Sequence, residues 1–319
     1  MGQESKTIVV HNGRFQADEV FAVAFLLMYY PELGSDPIII RTRDKDTIAK
    51  ADIVCDVGQV YSPLTLRFDH HQWKKPIGAH SQWFTIPNGL YGTWHQKAKI
   101  TPSSCGLVLD YLWHYHEGKQ SGQLPTELAN RFFKFLVLAI DANDNGIPAI
   151  AYERIEEDPS VKPLYNPCSI SEVVGHLNTD KDMGEKQDKA FLTAVDFALI
   201  HLKHWDKGYW RDQENYVPFK ALIDSQSGDQ LYMPTFYQGW CGMLSRAKAL
   251  KKYKRIIWPA LDEHGKQEYR VQVIPKHPGT KKFTVPRLDG SKVDEKDLVF
   301  VHGGGWIGAT RTKEAAFKL

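Results

Sequence analysis

Three short runs of β-branched and other apolar residues constrain the fold of this chain most. They are Thr7–Val10, Pro37–Thr42 and Ala51–Gly58, and a helical apolar pattern over Asp18–Tyr30 separates the first two. Apolar runs of this length that alternate with helical patterns are typical of a parallel sheet buried on both faces. The sequence therefore predicts an N-terminal α/β domain, with its functional groups in the loops at the carboxyl edge of the sheet.

Acidic residues and histidines occupy the predicted ends of these strands and of a later helix. They are His11, Asp18, Asp56, Asp69, His70, His71, Asp141 and Asp144. Each has a simpler interpretation, because an aspartate after a strand is often a turn former or a helix cap, and Asp141 and Asp144 could close a turn before Gly146. Their joint occurrence in separate segments favours a metal site. Carboxylate and imidazole ligands without cysteine favour Mn²⁺, Mg²⁺, Co²⁺ or Fe over structural zinc.

A site with several carboxylates can hold two divalent ions about 3.5–4 Å apart, which activate water and stabilise the attacking and leaving oxygens of phosphoryl transfer. The residues thus indicate a phosphoesterase. The neutral charge balance, 40 basic against 38 acidic residues, argues against a strongly basic nucleic-acid binder. A nucleic-acid partner has to be argued from the site.

Length and the remaining patterns predict the domain organisation and the compartment. A chain of 319 residues favours two domains. No Cys-x-x-Cys pair, signal-peptide pattern or membrane-length apolar run of about 20 residues is visible. We therefore expect a cytoplasmic protein without a membrane partner, and a homo-oligomer is one of the states that the sequence allows.

The rest of the chain is divided by composition. We predict a helix over 125–140, an acidic and proline-containing boundary over 153–167, and a long helix over 184–205. The expected domains are a metal-binding catalytic domain (1–155), a helical connector (156–205) and a smaller mixed α+β substrate-binding domain (206–319). Residues 73–100, rich in Gly, Pro, Trp and His, form a predicted loop that could cover the site.

Five motifs, in order along the chain, resemble a known family. They are His11-Asn12-Gly13 with Asp18-Glu19, Arg41-Thr42-Arg43-Asp44, Asp56-Val57-Gly58, Arg67-Phe68-Asp69-His70-His71-Gln72, and Asp141-Ala142-Asn143-Asp144-Asn145-Gly146-Ile147. This order closely resembles the Myg family of metal-dependent hydrolases, also described as 3′-to-5′ RNA exonucleases. That family is similar to the DHH phosphoesterase superfamily, which includes RecJ-like exonucleases, oligoribonucleases and manganese-dependent pyrophosphatases.

The resemblance implies a DHH-like N-terminal domain and roles for its residues. His11 and Asp56 would hold one ion, whereas Asp18, Asp56, His70 and Asp141 would hold the other. His71 would face the scissile phosphate, supported by Asp69, and Asp144 is a further catalytic candidate. The loop of His302, Gly303, Gly304 and Gly305 resembles the phosphate-binding loop of DHH-associated domains, although a flexible strand-to-helix connection would have the same composition.

Gln16 departs from the Myg pattern, which usually has a metal-binding histidine at this position. A neutral amide oxygen is a weaker ligand than imidazole. The expected cofactor is a divalent metal, with Mn²⁺ first and Mg²⁺ or Co²⁺ as alternatives, in one or two ions. Because Gln16 is a weak ligand, the first ion could be loosely held, replaced by a water-rich Mg²⁺, or absent.

The sequence thus predicts a metal-dependent exonuclease that hydrolyses single-stranded RNA or short oligonucleotides by a two-metal mechanism. One alternative is a small-phosphate hydrolase, either a pyrophosphatase or a dinucleotide phosphodiesterase. The other is a non-catalytic nucleotide- or nucleic-acid-binding relative with a weakened metal site.

Overall fold

The computed structural model describes residues 5–72, 100–116, 124–147, 168–181, 183–278, 283 and 285–319. The chain divides into two compact units, Met1–Asp206 and Lys207–Leu319. In chain order, the elements are β1 (Thr7–Val10), α1 (Ala17–Tyr29), β2 (Ile38–Arg41), α2 (Lys45–Lys50), β3 (Ile53–Cys55), β4 (Tyr61–Ser62), β5 (Arg67–Phe68), α3 (Ser104–His116), α4 (Thr126–Phe132), a π-helical segment (Phe133–Val137), α5 (Leu138–Asp144), α6 (Ile170–Gly175), α7 (Glu185–Ser225), β6 (Gln230–Tyr232), α8 (Trp240–Arg246), β7 (Arg255–Leu261), β8 (Gln267–Val273), β9 (Leu298–Val301), β10 (Ile307–Thr310) and α9 (Lys313–Lys318).

The sheet of the first unit is mostly parallel, as predicted. Its order is β2-β1-β3-β5-β4, with parallel pairs throughout except for the short edge strand β4, which pairs antiparallel with β5. Parallel strands place their carboxyl ends at one edge. The segments after β1, β3 and β5 therefore meet, although they begin at residues 11, 56 and 69.

Helix α1 is buried along nearly its whole length, which explains its apolar composition on all sides. It packs against α3, and its Phe25 ring meets Phe132 of α4 edge to face at 5.3 Å. Its first turn carries two buried carboxylates, Asp18 and Glu19. Burial of two adjacent acids requires compensation by partners or a cation.

Two helices run further than the sequence predicts. The helix expected to stop at residue 140 continues as α5 to Asp144, where Gly146 takes a positive φ of 67° and ends it. Helix α7 continues past the predicted residue 205 to Ser225, with Pro218 inside it. Phe191, near the start of α7, packs edge to face on Phe15 at 5.6 Å, within the first unit. The division into a catalytic domain, a helical connector and a substrate-binding domain stays a prediction.

The second unit contains a mixed sheet of order β6-β7-β8-β10-β9. Strands β7 and β8 form an antiparallel hairpin whose turn lies at Asp262–Lys266. One apolar cluster contains Ile256 and Trp258 of β7, and another contains Val271 of β8 with Ala316 and Leu319 at the C-terminus. The α/β class predicted for the N-terminal domain and the smaller α+β class predicted for the C-terminal one are both confirmed. Among the described residues, no helix combines the length and apolarity that crossing a membrane requires.

Candidate metal centre

Three neighbouring strands deliver the central side chains of the site. His11 follows β1, Asp56 follows β3, and His70 lies two residues after β5. Asp56 has a positive φ of 55°, a conformation uncommon outside glycine, and its backbone N–H donates to Phe68 O at 3.1 Å. The backbone therefore turns sharply where the Asp56 carboxylate enters the site.

The first group of potential ligands surrounds His11. Its Nε2 atom lies 2.9 Å from Glu19 Oε1 and 3.2 Å from Asp56 Oδ2. Its Nδ1 atom lies 2.8 Å from Asn12 O, a backbone acceptor. A neutral ring that donates from Nδ1 presents the Nε2 lone pair to the two carboxylates, an orientation typical of metal-bound histidine.

The carboxylates around His11 favour a positive charge between them. Burial alone would lower the pKa of His11, but the hydrogen bonds and charges of Asp56 and Glu19 raise it to about 10. Burial likewise opposes ionisation of Asp56, yet His11 and His70 lower its pKa to about 2. The same field that holds a proton on His11 would bind a cation in its place.

A second group consists of Asp18, His70 and Asp144. His70 Nε2 lies 3.2 Å from Asp144 Oδ2. Both Asp18 oxygens and His70 Nε2 are buried without a hydrogen-bond partner in the described structure. Burial, followed by the charges of Asp56, Glu19 and Asp144, raises the pKa of Asp18 well above its ordinary value. Buried, unsatisfied oxygens in a crowd of carboxylates fit a divalent cation.

Asp56 lies between the group of potential ligands around His11 and the group that contains His70. Its Oδ2 faces His11, whereas its Oδ1 lies 3.5 Å from His70 Nε2 and 3.3 Å from His71 Nδ1. One oxygen of the Asp56 carboxylate therefore faces each group. The donor set of imidazoles and carboxylates suits Mn²⁺.

His71 is oriented by Asp69. Asp69 Oδ1 accepts the backbone N–H of His71 at 3.0 Å and lies 2.7 Å from its Nδ1, while Gln59 N–H donates to Oδ2 at 2.6 Å. The Asp69 hydrogen bond is the main reason that the pKa of His71 rises to about 8. Asp69 thus contacts the site through His71, whose side chain is about half exposed at the cleft.

Asp141, the expected second-site ligand, faces elsewhere. Its Oδ1 accepts from Ser103 N–H at 3.0 Å and from Ser103 Oγ at 2.8 Å, immediately before α3. A Cβ on Gly106 would lie only 2.6 Å from Asp141 Oδ2, so the carboxylate packs tightly against the first turn of α3. Among the described residues, the ligand groups contain Asp144 and not Asp141. The metal-binding role of Asp141 stays a prediction.

Glu19 is the residue that the sequence interpretation left out of the ligand set. It lies three positions after Gln16, the N-cap of α1, and accepts the Gln16 N–H at 3.0 Å. This spacing is that of a capping box, which is sufficient by itself to explain a glutamate there. The feature of the sequence that could have indicated Glu19 as a ligand is its position next to Asp18.

Gln16 itself is exposed and lines the cleft, and its role as a ligand stays a prediction.

His11, Asp56, His70 and Asp144 line a cleft of about 1090 Å³. Its lining also contains the cationic side chains of Arg14, Arg43 and Lys45. Arg43 Nη1 donates to the Asn12 side-chain oxygen at 2.8 Å, which holds the guanidinium beside the loop after β1. Basic residues around an acidic floor that is suited to a cation favour an anionic ligand in the cleft.

The glycine-rich loop forms a hairpin turn, so the expectation of a strand-to-helix connection there is wrong. Residues 302–306 join β9 to β10, and Gly305 has a positive φ of 64°. Gly304 N–H donates to His302 Nδ1 at 3.0 Å and Gly305 N–H to His302 O at 2.6 Å. Two of its amides are therefore used internally. Substrate binding by His302, Gly303, Gly304 and Gly305 stays a prediction.

The loop expected over 73–100 lies, except for its last residue, outside the described residues.

The connection from α8 to β7 carries several basic residues, Lys248, Lys251, Lys252 and Lys254. Within it, Lys252 Nζ donates to Ile223 O and Gln226 O at the C-terminal end of α7, and Lys254 pairs with Asp229 at 2.7 Å. These cations serve local structure.

The fold and the site define a class: a two-unit α/β protein whose parallel sheet carries a histidine and carboxylate centre suited to divalent metal. A model of the family described as an uncharacterised protein family (UPF0160), named for the MYG1 exonuclease, matches residues 7–319. The chain belongs to this family.

Relatives align with the chain over nearly its full length. The MYG1 protein of Dictyostelium discoideum is 30% identical over 346 residues, covering 98% of this chain and 94% of the relative. The human MYG1 exonuclease is 26% identical over 342 residues, covering 98% of this chain and 84% of the relative.

A structure of RecJ from Thermus thermophilus in complex with Mn²⁺ is 16% identical to this chain, with a TM-score of 0.30. It covers 98% of this chain, which spans half of the longer RecJ chain. A superposition this loose does not align individual side chains.

Proposed function

We propose that this protein is a metal-dependent exonuclease that shortens single-stranded RNA or short oligonucleotides, with two divalent ions, Mn²⁺ first, in the centre around Asp56. The observation that carries the proposal is the position of Asp56, with one oxygen 3.2 Å from His11 and the other 3.5 Å from His70. The name of the human relative, MYG1 exonuclease, supports the same activity.

The residues divide into two ligand sets. His11, Glu19 and Asp56 would hold the first ion, with Gln16 as a weak neutral neighbour. Asp18, His70, Asp144 and the shared Asp56 would hold the second. When bound, the ions would activate water and stabilise the attacking and leaving oxygens of the phosphodiester. Asp144 replaces Asp141 in this assignment because Asp144 Oδ2 is the atom beside His70.

The remaining groups would bind and orient the substrate. His71, held by Asp69 through Nδ1, keeps Nε2 as its remaining polar ring atom, which would donate to a phosphate oxygen. Arg14, Arg43 and Lys45 would bind flanking phosphates. The cleft volume of about 1090 Å³ is slightly above the range of about 300–1000 Å³ for small-molecule pockets, which supports an oligonucleotide end as the occupant.

The test is a cleavage assay on single-stranded RNA labelled at either its 5′ or its 3′ end, with Mn²⁺ and with chelator. Stepwise shortening from one end, dependent on Mn²⁺, is the expected result. Release of phosphate from pyrophosphate, or cleavage of dinucleotides alone, would favour a small-phosphate hydrolase. Oligonucleotide binding without any hydrolysis would favour a non-catalytic relative, and both outcomes contradict the proposal.

A further inference from the structure

The loop that carries His11 is anchored by a side chain from a distant part of the chain. Phe15 N–H donates to Asn178 Oδ1 at 2.9 Å, and Asn178 Nδ2 donates to Phe15 O at 2.9 Å. Asn178 Nδ2 also donates to Gly175 O at 3.1 Å, at the end of α6. The side-chain amide of Asn178 thus hydrogen-bonds to both the N–H and the C=O of Phe15, as the backbone of a neighbouring strand would.

A second amide fixes the first. Gln187 is fully buried near the start of α7, and its Nε2 donates to Asn178 Oδ1 at 2.5 Å and to Gly13 O at 3.2 Å. Its Oε1 accepts from the backbone N–H of Thr179 at 2.9 Å and from Thr179 Oγ1 at 2.8 Å. Both donors and both acceptor sites of the amide are used, so its orientation is determined by its partners.

Arg41, at the end of β2, contacts the same loop from the sheet. Its Nη2 donates to Gly13 O at 2.6 Å, and its Nη1 pairs with Asp188 Oδ1 at 2.8 Å. The guanidinium lies 5.6 Å from the Phe15 ring centroid and 4.9 Å from that of Phe191. The Arg41 side chain is only 3% exposed, and buried, stacked and paired guanidinium groups have little freedom to move.

We propose that Asn178 and Gln187, together with Arg41, are positioning residues that hold the loop from His11 to Gln16 in the geometry required for metal binding. In the described part of the chain, their hydrogen bonds to this loop go to Gly13 and Phe15 and not to the ligand side chains. Their bonds hold Gly13 and Phe15, which lie between His11 and the Gln16 N–H that Glu19 accepts. The inference rests on the proposed function, because it concerns the same metal centre.

The physical reason is the precision that a metal site needs. Ligands displaced by about 1 Å lose a productive geometry, and loop-borne sites depend on the contacts that support them. The loop has no regular structure of its own between β1 and α1, and Gly13 has a positive φ of 102°. Without the two amides and Arg41, the buried carbonyl and N–H groups of the loop would lose their partners and the loop would rearrange.

The experiment measures Mn²⁺ binding by titration calorimetry in wild type, Asn178→Ala and Gln187→Met. We expect affinity to fall about tenfold, the lower end of the effect of losing residues that orient metal ligands. Val174→Ala is the matched control, because Val174 is fully buried in the preceding helix α6 and makes no polar contact with the loop. It should lower the melting temperature while leaving Mn²⁺ affinity unchanged.

The kinetic readout separates positioning from general destabilisation. In the two amide variants, the Mn²⁺ concentration for half-maximal hydrolysis should rise about tenfold, whereas Val174→Ala should not shift it. Wild-type affinity in both amide variants, or an equal loss in Val174→Ala, would overturn the inference. If wild type itself bound no Mn²⁺, the proposed function would fail instead, so the two failures are distinguishable.

Discussion

The Nε2 atom of His11 lies 2.9 Å from Oε1 of Glu19, a carboxylate with no exposed surface. This contact places a carboxylate close to Gln16, the residue expected to be a weak ligand. The proposed first metal position therefore has two carboxylates and one imidazole in reach even without a histidine at position 16.

Glu19→Gln should weaken binding of the first ion. The amide keeps an acceptor for the Gln16 N–H but removes the charge that faces His11, and we expect Mn²⁺ affinity at that position to fall about tenfold or more. Calorimetry that resolves the two binding steps is the measurement. Glu185→Gln, in the exposed first turn of α7, is the control. An unaltered first step would remove Glu19 from the ligand set.

Gln16→His should strengthen the same binding step. An imidazole is a stronger ligand for Mn²⁺ than a neutral amide oxygen, and Gln16 already lines the cleft. The midpoint of the Mn²⁺ titration should move to lower concentration. If affinity does not change, Gln16 lies outside the coordination sphere and Glu19 is sufficient in its place.

Asp56→Asn should abolish Mn²⁺-dependent hydrolysis while the protein stays folded. The neutral amide cannot bridge two cations. The transition state would lose several kcal/mol of stabilisation, which corresponds to a rate decrease of at least about a hundredfold. Circular dichroism and the metal-free melting temperature check the fold. Asp52→Asn, at a partly exposed side chain before β3, should keep full activity; strong residual activity in Asp56→Asn would contradict the bridging role.

Asp141→Asn should lower the stability of the protein, whereas Asp144→Asn should lower its activity. Asp141 accepts two hydrogen bonds from Ser103 in a buried setting. Replacing its carboxylate by a neutral amide weakens both bonds and should destabilise the protein by about 1–3 kcal/mol. Asp144 lies beside His70, so its loss should lower activity with little effect on unfolding. Urea unfolding and Mn²⁺ titration distinguish them, and reduced Mn²⁺ affinity in a folded Asp141→Asn variant would restore Asp141 as a ligand.

Asp110 should make stability depend on pH. Burial raises its pKa from 3.8 to about 7, so the folded state binds its proton more tightly than the unfolded state. Protonation of Asp110 in the folded state stabilises the protein. This stabilisation is fully present below about pH 4 and is lost as the pH rises towards 7. Asp110→Asn should therefore raise the melting temperature at pH 8 more than at pH 4, relative to wild type.

The control for the pH prediction is Asp36→Asn, at an exposed position. Its difference from wild type should be small at both pH values. A melting-temperature difference for Asp110→Asn that does not vary with pH would show that Asp110 ionises normally in the folded protein.

The sequence by itself determined the class of the fold and the place of the site. The β-branched runs specify β1, β2 and β3, and the parallel pairing of β1 with β3 brings His11 and Asp56 to one edge of the sheet. His70 reaches the same edge from β5, which pairs parallel with β3. The alternation of these runs with an apolar helix is a local property of the chain, and it fixes which residues end each strand.

Only the tertiary structure decided which acids turn toward that edge. Asp141 and Asp144 lie one turn apart, and the π-helical segment before them changes the phase of the helix, so packing sets which carboxylate faces His70. Asn178 and Gln187 contact the His11 loop across 163 and 174 residues of sequence. No local pattern encodes contacts over such separations, because they form when packed elements bring distant side chains together.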